Sequence, residues 1–174
     1  MNNSLLIVGA GIYGVVAKEI AEEMGCFDKI SFIDDGRSVA LNGEIVVGTI
    51  DDLTSLSGKY RCAVVAIGNP KARLSLIQKI EKETRCEIVT LISPRAYVSP
   101  SAEIKRGSVI EPMAVVHSGC VIGVGCLVSA GAVVNHASVC EDVCHIDCNA
   151  TVSGNEVVPL GTKVFSGEVF RKAC

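Results

Sequence analysis

Residues 110–133 read IEPMAV VHSGCV IGVGCL VSAGAV, four consecutive hexads that each begin with an aliphatic side chain. A small residue stands four positions after each of these aliphatic residues. A six-residue repeat with one large and one small inward side chain is the signature of a parallel β-helix. The period extends in both directions without an insertion, and its large inward positions are Ile92, Val98, Ile104, Ile110, Val116, Ile122, Val128, Val134, Cys140, Ile146, Val152, Val158, Val164 and Phe170.

Three hexads make one triangular coil, so residues eighteen apart become direct neighbours on successive coils, about 4.8 Å apart. The corners of the triangle carry their own signal, because the third position after the aliphatic residue is often glycine or asparagine. These residue types tolerate the positive φ that a sharp corner demands. Those positions are Gly107, Gly119, Gly125, Gly131, Asn149, Asn155, Gly161 and Gly167.

The composition narrows the function classes. The chain has 174 residues, of which 49% are hydrophobic and 4% aromatic, and its formal net charge is -3. Two small domains fit this length, the charge gives no basic surface for nucleic acid, and no apolar run approaches the roughly 20 residues of a membrane span. The start lacks a charged segment before its apolar run, so we expect no signal peptide and a cytoplasmic location.

The nine cysteines raise the question of a metal site, since Cys140, Cys144 and Cys148 flank His145. The hexad register favours a different interpretation. Cys140 falls at a large inward position, and Cys120, Cys126 and Cys144 fall at small ones, where a thiol acts as a compact apolar filler. We therefore expect unpaired, buried cysteines and no metal.

The first 91 residues differ from the repeat. An apolar strand at residues 5–9 leads into the glycine motif Gly9-Ala-Gly11-Ile-Tyr-Gly14 and a helix from Val15 to about Met24, and a second strand at residues 30–33 ends in Asp34-Asp35. Glycines at this point let a phosphate approach a helix N-terminus, and the acidic pair stands where a carboxylate can hold a ribose hydroxyl or a base edge. The sequence predicts a Rossmann-like domain.

A further buried strand at residues 62–68 leads through Asn69-Pro70 into a helix that runs to about Lys82. Asn69 would lie at the carboxyl end of a strand, where ligands bind in open α/β sheets. The segment ends near Leu91, too short for both halves of a dinucleotide fold, which favours a mononucleotide or a nucleotide-linked group over NAD. The alternative is a Rossmann-like domain that has lost its ligand and only packs on the β-helix.

The three histidines are exceptions in the repeat, because no hexad position requires one. His136 starts a corner and should project outward, with Gly154 directly above it and Ser118 beneath it. This stacking places a potential base beside backbone that a bulky cofactor can approach. His145 lies half a coil away, on the far side of the prism, and can meet His136 only across an interface between subunits. His117 stacks under Asn135 and is expected to be a surface or interface residue.

These features together resemble the bacterial sugar O- and N-acyltransferases, which include sialic acid O-acetyltransferases and acetyltransferases of UDP-linked 4-amino-sugars. The resemblance covers nearly the whole chain and implies a left-handed β-helix at residues 92–174 after a nucleotide-sugar-binding domain at residues 1–91. It also implies a homotrimer that uses acetyl-CoA. The matching segments are the glycine loop, Asp34-Asp35, Ala66-Ile-Gly-Asn69, Leu91-Ile-Ser-Pro94, the hexads, Val134-Asn-His136, His145 and Ser153-Gly-Asn155.

Carried over by position, the resemblance gives His136 the role of general base toward the amine or hydroxyl of the sugar. His145 would line the acetyl-CoA site from the adjoining subunit, and the backbone of Gly154 would contact the cofactor near its thioester. The nucleotide-sugar pocket would be formed by Gly11, Tyr13, Gly14, Asp34, Asp35 and Asn69.

The chain departs from the family at three points. Ala137 stands where an acidic residue usually follows the histidine, Tyr13 replaces a frequent histidine, and the chain ends before the further coils of family members. Glu156 and Glu168 fall at small inward positions, so we expect irregular or exposed final coils. A truncated or degenerate member that binds a nucleotide sugar or acts as a scaffold is therefore the second hypothesis. An acetyltransferase of serine or of a thiogalactoside is disfavoured, since those relatives lack the nucleotide-type domain.

Overall fold

The fold is known from a computed structural model that describes residues 3–172. It divides into two compact units, with the division between Val89 and Thr90. No helix of the part of the chain that the structure describes is long and apolar enough to cross a membrane.

The first unit is a Rossmann-like α/β domain. Its parallel sheet has the order β2-β1-β3-β4, and β1 is buried along its whole length. This confirms the predicted strand, glycine loop, helix and strand, although the first helix begins at Ile12, earlier than expected, and the short strand β4 was not foreseen. The elements are β1 (Ser4–Val8), α1 (Ile12–Met24), β2 (Lys29–Ile33), a 3-10 helix (Ile50–Asp52), α2 (Leu53–Leu56), β3 (Cys62–Val65), α3 (Pro70–Glu83) and β4 (Glu87–Ile88).

The second unit is the predicted left-handed parallel β-helix. Its strands are two residues long and form three parallel walls in which each residue pairs with the one eighteen positions away, as Val121 does with Val139. Wall I contains β5 (Leu91–Ile92), β8 (Val109–Ile110), β11 (Leu127–Val128), β14 (His145–Ile146) and β17 (Lys163–Val164); wall II contains β6 (Tyr97–Val98), β9 (Val115–Val116), β12 (Val133–Val134), β15 (Thr151–Val152) and β18 (Val169–Phe170); wall III contains β7 (Glu103–Ile104), β10 (Val121–Ile122), β13 (Val139–Cys140) and β16 (Val157–Val158).

The core of the β-helix follows the hexad register. The large inward residues from Ile110 to Val158 are fully buried, and the small inward residues from Ser108 to Ala150 are fully buried as well. Cys120, Cys126, Cys140 and Cys144 are buried and unpaired, as expected. Burial raises the pKa of the Cys140 thiol, because a thiolate would lose its hydration there.

The corners have positive φ at all the predicted glycines and asparagines. The structure adds three residues that the sequence did not indicate, Met113, Ala137 and Val143, with φ of 62°, 54° and 53°. They occupy the same position in their hexads, so from the corner at Gly107 onward the coil imposes the left-handed conformation on non-glycine residues as well, whereas Arg95 and Ser101 of the first corners do not adopt it. A non-glycine residue there costs roughly 1–2 kcal/mol.

The last coil is regular but exposed. β16, β17 and β18 keep the pairing of the coils before them, while Leu160 and Phe165 are 59% and 58% exposed. The Glu156 carboxylate accepts a hydrogen bond from the Lys172 amide, and the Glu168 carboxylate accepts one from the Phe165 amide. The expected irregularity is absent from residues 157–170, and the expected exposure is present.

Candidate active site

His136 follows β12 at the corner that leads to β13, and its side chain is exposed. Gly154 lies against the imidazole ring. A Cβ atom added to Gly154 would come within 2.6 Å of Cε1, 2.7 Å of Nε2 and 3.1 Å of Nδ1 of His136. The predicted stacking is confirmed, and it shows that only glycine at position 154 leaves room for the ring.

The backbone around the ring is fixed on both sides. The His136 amide donates to Oδ1 of Asn135 at 2.8 Å, and the His136 carbonyl accepts from the Asn155 amide at 2.9 Å. The Ala137 amide donates to the carbonyl of Ser118 in the coil below at 2.9 Å. The imidazole is therefore carried by an ordered corner and faces outward.

The amide of Gly154 has no acceptor among residues 3–172. Gly154 is the second residue after an inward aliphatic residue, and the amide at this position of other hexads commonly donates to a side-chain oxygen. The amides of Ser118, Asp142 and Ser166 also lack an acceptor within residues 3–172, and what distinguishes Gly154 is the His136 ring packed against its Cα. The amides that a side-chain oxygen accepts from are those of Val124, Ala130, His136, Cys148, Leu160 and Lys172.

His145 lies in β14 of wall I, away from the corner that carries His136, so the two histidines do not meet within one chain. It is buried, and Nε2 lies 3.1 Å from Oγ of Ser129 and 3.6 Å from Oδ1 of Asp147. Burial by itself would raise the pKa of Asp147, but the hydrogen bonds from Lys163 and from the Cys148 amide outweigh it and lower the pKa. The carboxylate stays charged beside the imidazole.

His117 is exposed, and its ring meets the edge of Tyr97 with the ring centroids 6.4 Å apart. It makes no contact with His136 in the structure of residues 3–172 and remains a surface residue, as expected.

Two glycines of the glycine loop in the first unit have different roles. Gly14 packs so closely on the carbonyl of Gly9 that a side chain would collide with it, whereas a Cβ on Gly11 would meet nothing within 4 Å. Gly11 is the N-cap of α1 and supplies no side-chain cap. Tyr13 follows in the first turn of α1, half-buried. Gly14 is thus required for packing, and Gly11 leaves the helix N-terminus open to a ligand.

The polar residues predicted for the same pocket also hold backbone. Asp34 accepts from the amide of Ala10 and from that of Gly36, both at 2.8 Å. Asp35 accepts from the Ile50 amide at 2.8 Å, and Asn69 caps α3 by accepting from the Ala72 amide. Part of the acceptor capacity of these three side chains is therefore used for structure.

Sequence reasoning missed two arginines near this edge of the sheet. Arg73 is fully buried, and its Nη1 donates to the carbonyls of Ile67 and Gly68 at 2.6 and 2.9 Å. A helix interior gave no sign of this role. Arg37 lines an open cavity of about 430 Å³ that begins at the acidic pair and is bordered by Asp34, Asp35, Gly36, Arg37, Ser38, Val46, Gly48 and Thr49.

Comparison with protein families gives one match, in which residues 4–80 fit the PglD N-terminal domain. A comparison with curated protein sequences finds no match.

Among solved structures, the chain is similar to the acetyltransferase domain of PglB from Neisseria gonorrhoeae FA1090 in complex with acetyl coenzyme A. The identity is 34%, the TM-score is 0.92, and the match covers 99% of this chain and 83% of that one. A mutant of perosamine N-acetyltransferase from Caulobacter crescentus, in complex with CoA and GDP-perosamine, is 22% identical over 99% of this chain and 90% of that one, with a TM-score of 0.79. WeeI from Acinetobacter baumannii AYE is 20% identical over 97% of this chain and 92% of its own, with a TM-score of 0.72. The last two matches establish the fold.

Proposed function

The chain belongs to the bacterial sugar acyltransferases that carry a left-handed β-helix of hexapeptide repeats, and we propose that it transfers an acetyl group from acetyl-CoA to an amine or hydroxyl of a nucleotide-linked or sialic-type sugar. The observation that carries the proposal is the pairing of an outward imidazole, His136, with an amide that has no acceptor within residues 3–172, that of Gly154.

This pair supplies the two groups that acyl transfer from a thioester needs. The amine or hydroxyl of the acceptor attacks the carbonyl carbon of the thioester while His136 takes its proton. The negative charge that develops on the carbonyl oxygen is stabilised by the Gly154 N–H. When the intermediate collapses, the carbon–sulfur bond breaks, and the departing thiolate of CoA takes the proton from the imidazolium.

The sugar nucleotide is assigned to the first unit. Gly11 leaves the N-terminus of α1 open, which favours a phosphate, and Gly14 holds the loop close to the strand. Asp34, Asp35 and Asn69 retain lone pairs or an amide donor for hydroxyls or a base edge after their backbone contacts are made. Tyr13 contributes a ring beside the loop. The unpaired cysteines agree with a reducing compartment, which supports the cytoplasm as the location.

A homotrimer completes the proposal. His136 and His145 lie on different sides of the prism, so the acetyl-CoA site takes His136 and Gly154 from one subunit and His145 from the next. The outer surface supports close packing of such prisms, because the outward strand positions of walls II and III are mostly apolar and only half-buried or exposed. These positions are Tyr97, Val115, Val133, Thr151 and Val169 on wall II and Glu103, Val121, Val139 and Val157 on wall III. Light scattering should report three times the mass of the chain, 18.2 kDa, and a monomer at assay concentration would remove His145 from the site.

The decisive experiment measures release of free CoA from acetyl-CoA with a panel of UDP-amino sugars, GDP-amino sugars and CMP-sialic acid. With the sugar that is turned over, His136→Ala should lower kcat by about 10²-fold or more, with little change in the affinity for acetyl-CoA, because a general base acts in the transition state. His117→Ala is the matched control, an exposed histidine one coil lower, and should turn over like the wild type.

Two results would reject parts of this proposal. Equal turnover by the wild type and His136→Ala would remove His136 as the base. A wild-type protein that binds a nucleotide sugar in calorimetry but releases no CoA with any of the panel would replace the enzyme with the truncated or degenerate binder, the hypothesis that Ala137 favours.

A further inference from the structure

We propose that Ser138 is a positioning residue for acetyl transfer: its hydroxyl fixes the peptide between Ser153 and Gly154 so that the Gly154 N–H faces the thioester oxygen. The inference rests on the proposed function for the role of that N–H. Ser138 itself is buried and would touch neither substrate nor cofactor.

Ser138 is fully buried. Its Oγ donates to the carbonyl oxygen of Ser153 at 2.7 Å, lies 3.5 Å from the carbonyl oxygen of His136, and accepts from the amide of Glu156 at 3.2 Å. The carbonyl of Ser153 and the N–H of Gly154 belong to one planar trans peptide and point in opposite directions. A hydrogen bond that holds the oxygen toward the interior therefore turns the N–H outward, on the side where the His136 ring lies against Gly154.

The same hydrogen bonds recur elsewhere in the β-helix, which makes a matched control available. Ser108, also fully buried, donates to the Gly123 carbonyl at 2.7 Å and accepts from the Cys126 amide at 3.1 Å. The peptide that Ser108 fixes follows Gly123 at the end of β10 in wall III, at a different corner of the prism from the peptide that follows Ser153 at the end of β15 in wall II. Loss of either hydroxyl removes one bond to a corner carbonyl and one bond from the amide eighteen residues further on, and only the Ser138 hydroxyl supports the peptide of Gly154.

Cysteine can fill this role as well as serine. Thiols at the equivalent small inward position donate to the corner carbonyl of the next coil, as Cys120 does to Asn135 at 3.0 Å and Cys144 does to Pro159 at 3.1 Å. Ser138→Cys therefore keeps a donor in a position that already accepts thiols, whereas Ser138→Ala removes it and leaves the Ser153 carbonyl without its side-chain donor.

The experiment compares three variants, Ser138→Ala, Ser138→Cys and Ser108→Ala, in the CoA-release assay and in thermal unfolding. We expect Ser138→Ala to lower kcat by about tenfold or more, a part of the 10²- to 10³-fold that loss of an oxyanion donor costs, while KM for the nucleotide sugar stays within about twofold. Ser138→Cys should recover most of kcat. Ser108→Ala should lose as much thermal stability as Ser138→Ala and keep the wild-type kcat.

The inference is overturned if Ser138→Ala turns over like the wild type, or if Ser108→Ala loses as much kcat, since the effect would then be a general weakening of the fold. A second measurement does not depend on turnover. NMR relaxation of the Gly154 amide should show greater fast motion in Ser138→Ala than in Ser108→Ala or the wild type. If the wild type released no CoA, the proposed function would fail, and equal motion of the Gly154 amide in all three proteins would separately reject the role of Ser138.

Discussion

Gly154→Ala should abolish most of the activity without unfolding the protein. The added Cβ would lie 2.6 to 3.1 Å from three atoms of the His136 ring, whereas carbon atoms in contact prefer about 3.5–4.0 Å. The ring must therefore retreat by about 1 Å, and a misplacement of that size can cost 10²-fold in rate. The φ of Gly154 is outside the left-handed region, so alanine meets no backbone strain, and stability should change little.

The assay is CoA release at saturating substrates, with kcat for Gly154→Ala expected about 10²-fold below the wild type. Gly58→Ala is the control, because a Cβ at that position meets nothing within 4 Å and φ is not positive there. In a His136→Ala background the same Gly154→Ala substitution should lower kcat much less, because the substitution acts by displacing the His136 ring. Wild-type kcat in Gly154→Ala, or an undiminished effect in the double variant, would refute the reasoning.

Three further outcomes are expected. Ala137→Gly should raise the free energy of unfolding in urea by about 0.5–1 kcal/mol, because glycine relieves the left-handed strain at φ 54° but loses more entropy on folding; a lower midpoint would contradict this. Asp147→Asn should be less stable than the wild type at neutral pH, and the difference should vanish as pH falls well below about 3.9, because the lowered pKa of Asp147 makes its ionised form stabilising above that range; a difference that persists at low pH would contradict this. A thiol reagent should label the exposed Cys26 and Cys148 of the native protein. It should reach the buried thiols of the β-helix, Cys120, Cys126, Cys140 and Cys144, only after denaturation. Prompt labelling of these four in the native protein would contradict the hexad register.

The hexad period predicted the β-helix in detail because every hexad places one large and one small side chain in the same core environment. The stacking of residues eighteen apart follows from the period, and it placed Gly154 over His136 correctly. The corners were predicted only in part. Glycine and asparagine reveal a left-handed residue, but Met113, Ala137 and Val143 adopt the same conformation against their own preference, whereas Arg95 and Ser101 at the same hexad position do not.

The pocket of the first unit was less predictable, because its side chains serve distant backbone. Sequence placed Asp34 at the end of β2, yet its carboxylate accepts from the amide of Ala10, twenty-four residues earlier. Arg73 lies four residues into α3 and reaches back to the carbonyls of Ile67 and Gly68. Such pairings depend on how loops close in space, and neither periodicity nor motif spacing contains that information.

The small inward position shows where a correct pattern still conceals chemistry. The hexad pattern predicts a small filler four residues after each aliphatic residue, and Ala132, Ser138 and Ala150 satisfy that rule equally. The structure separates them, because Ser138 carries a donor that reaches the Ser153 carbonyl and an alanine does not. This is the donor that we propose holds the Gly154 amide in place. In this fold the choice between alanine and serine at one buried position therefore links core packing to the group proposed to stabilise the oxyanion, and the two functions are separated by the Ser138 and Ser108 variants.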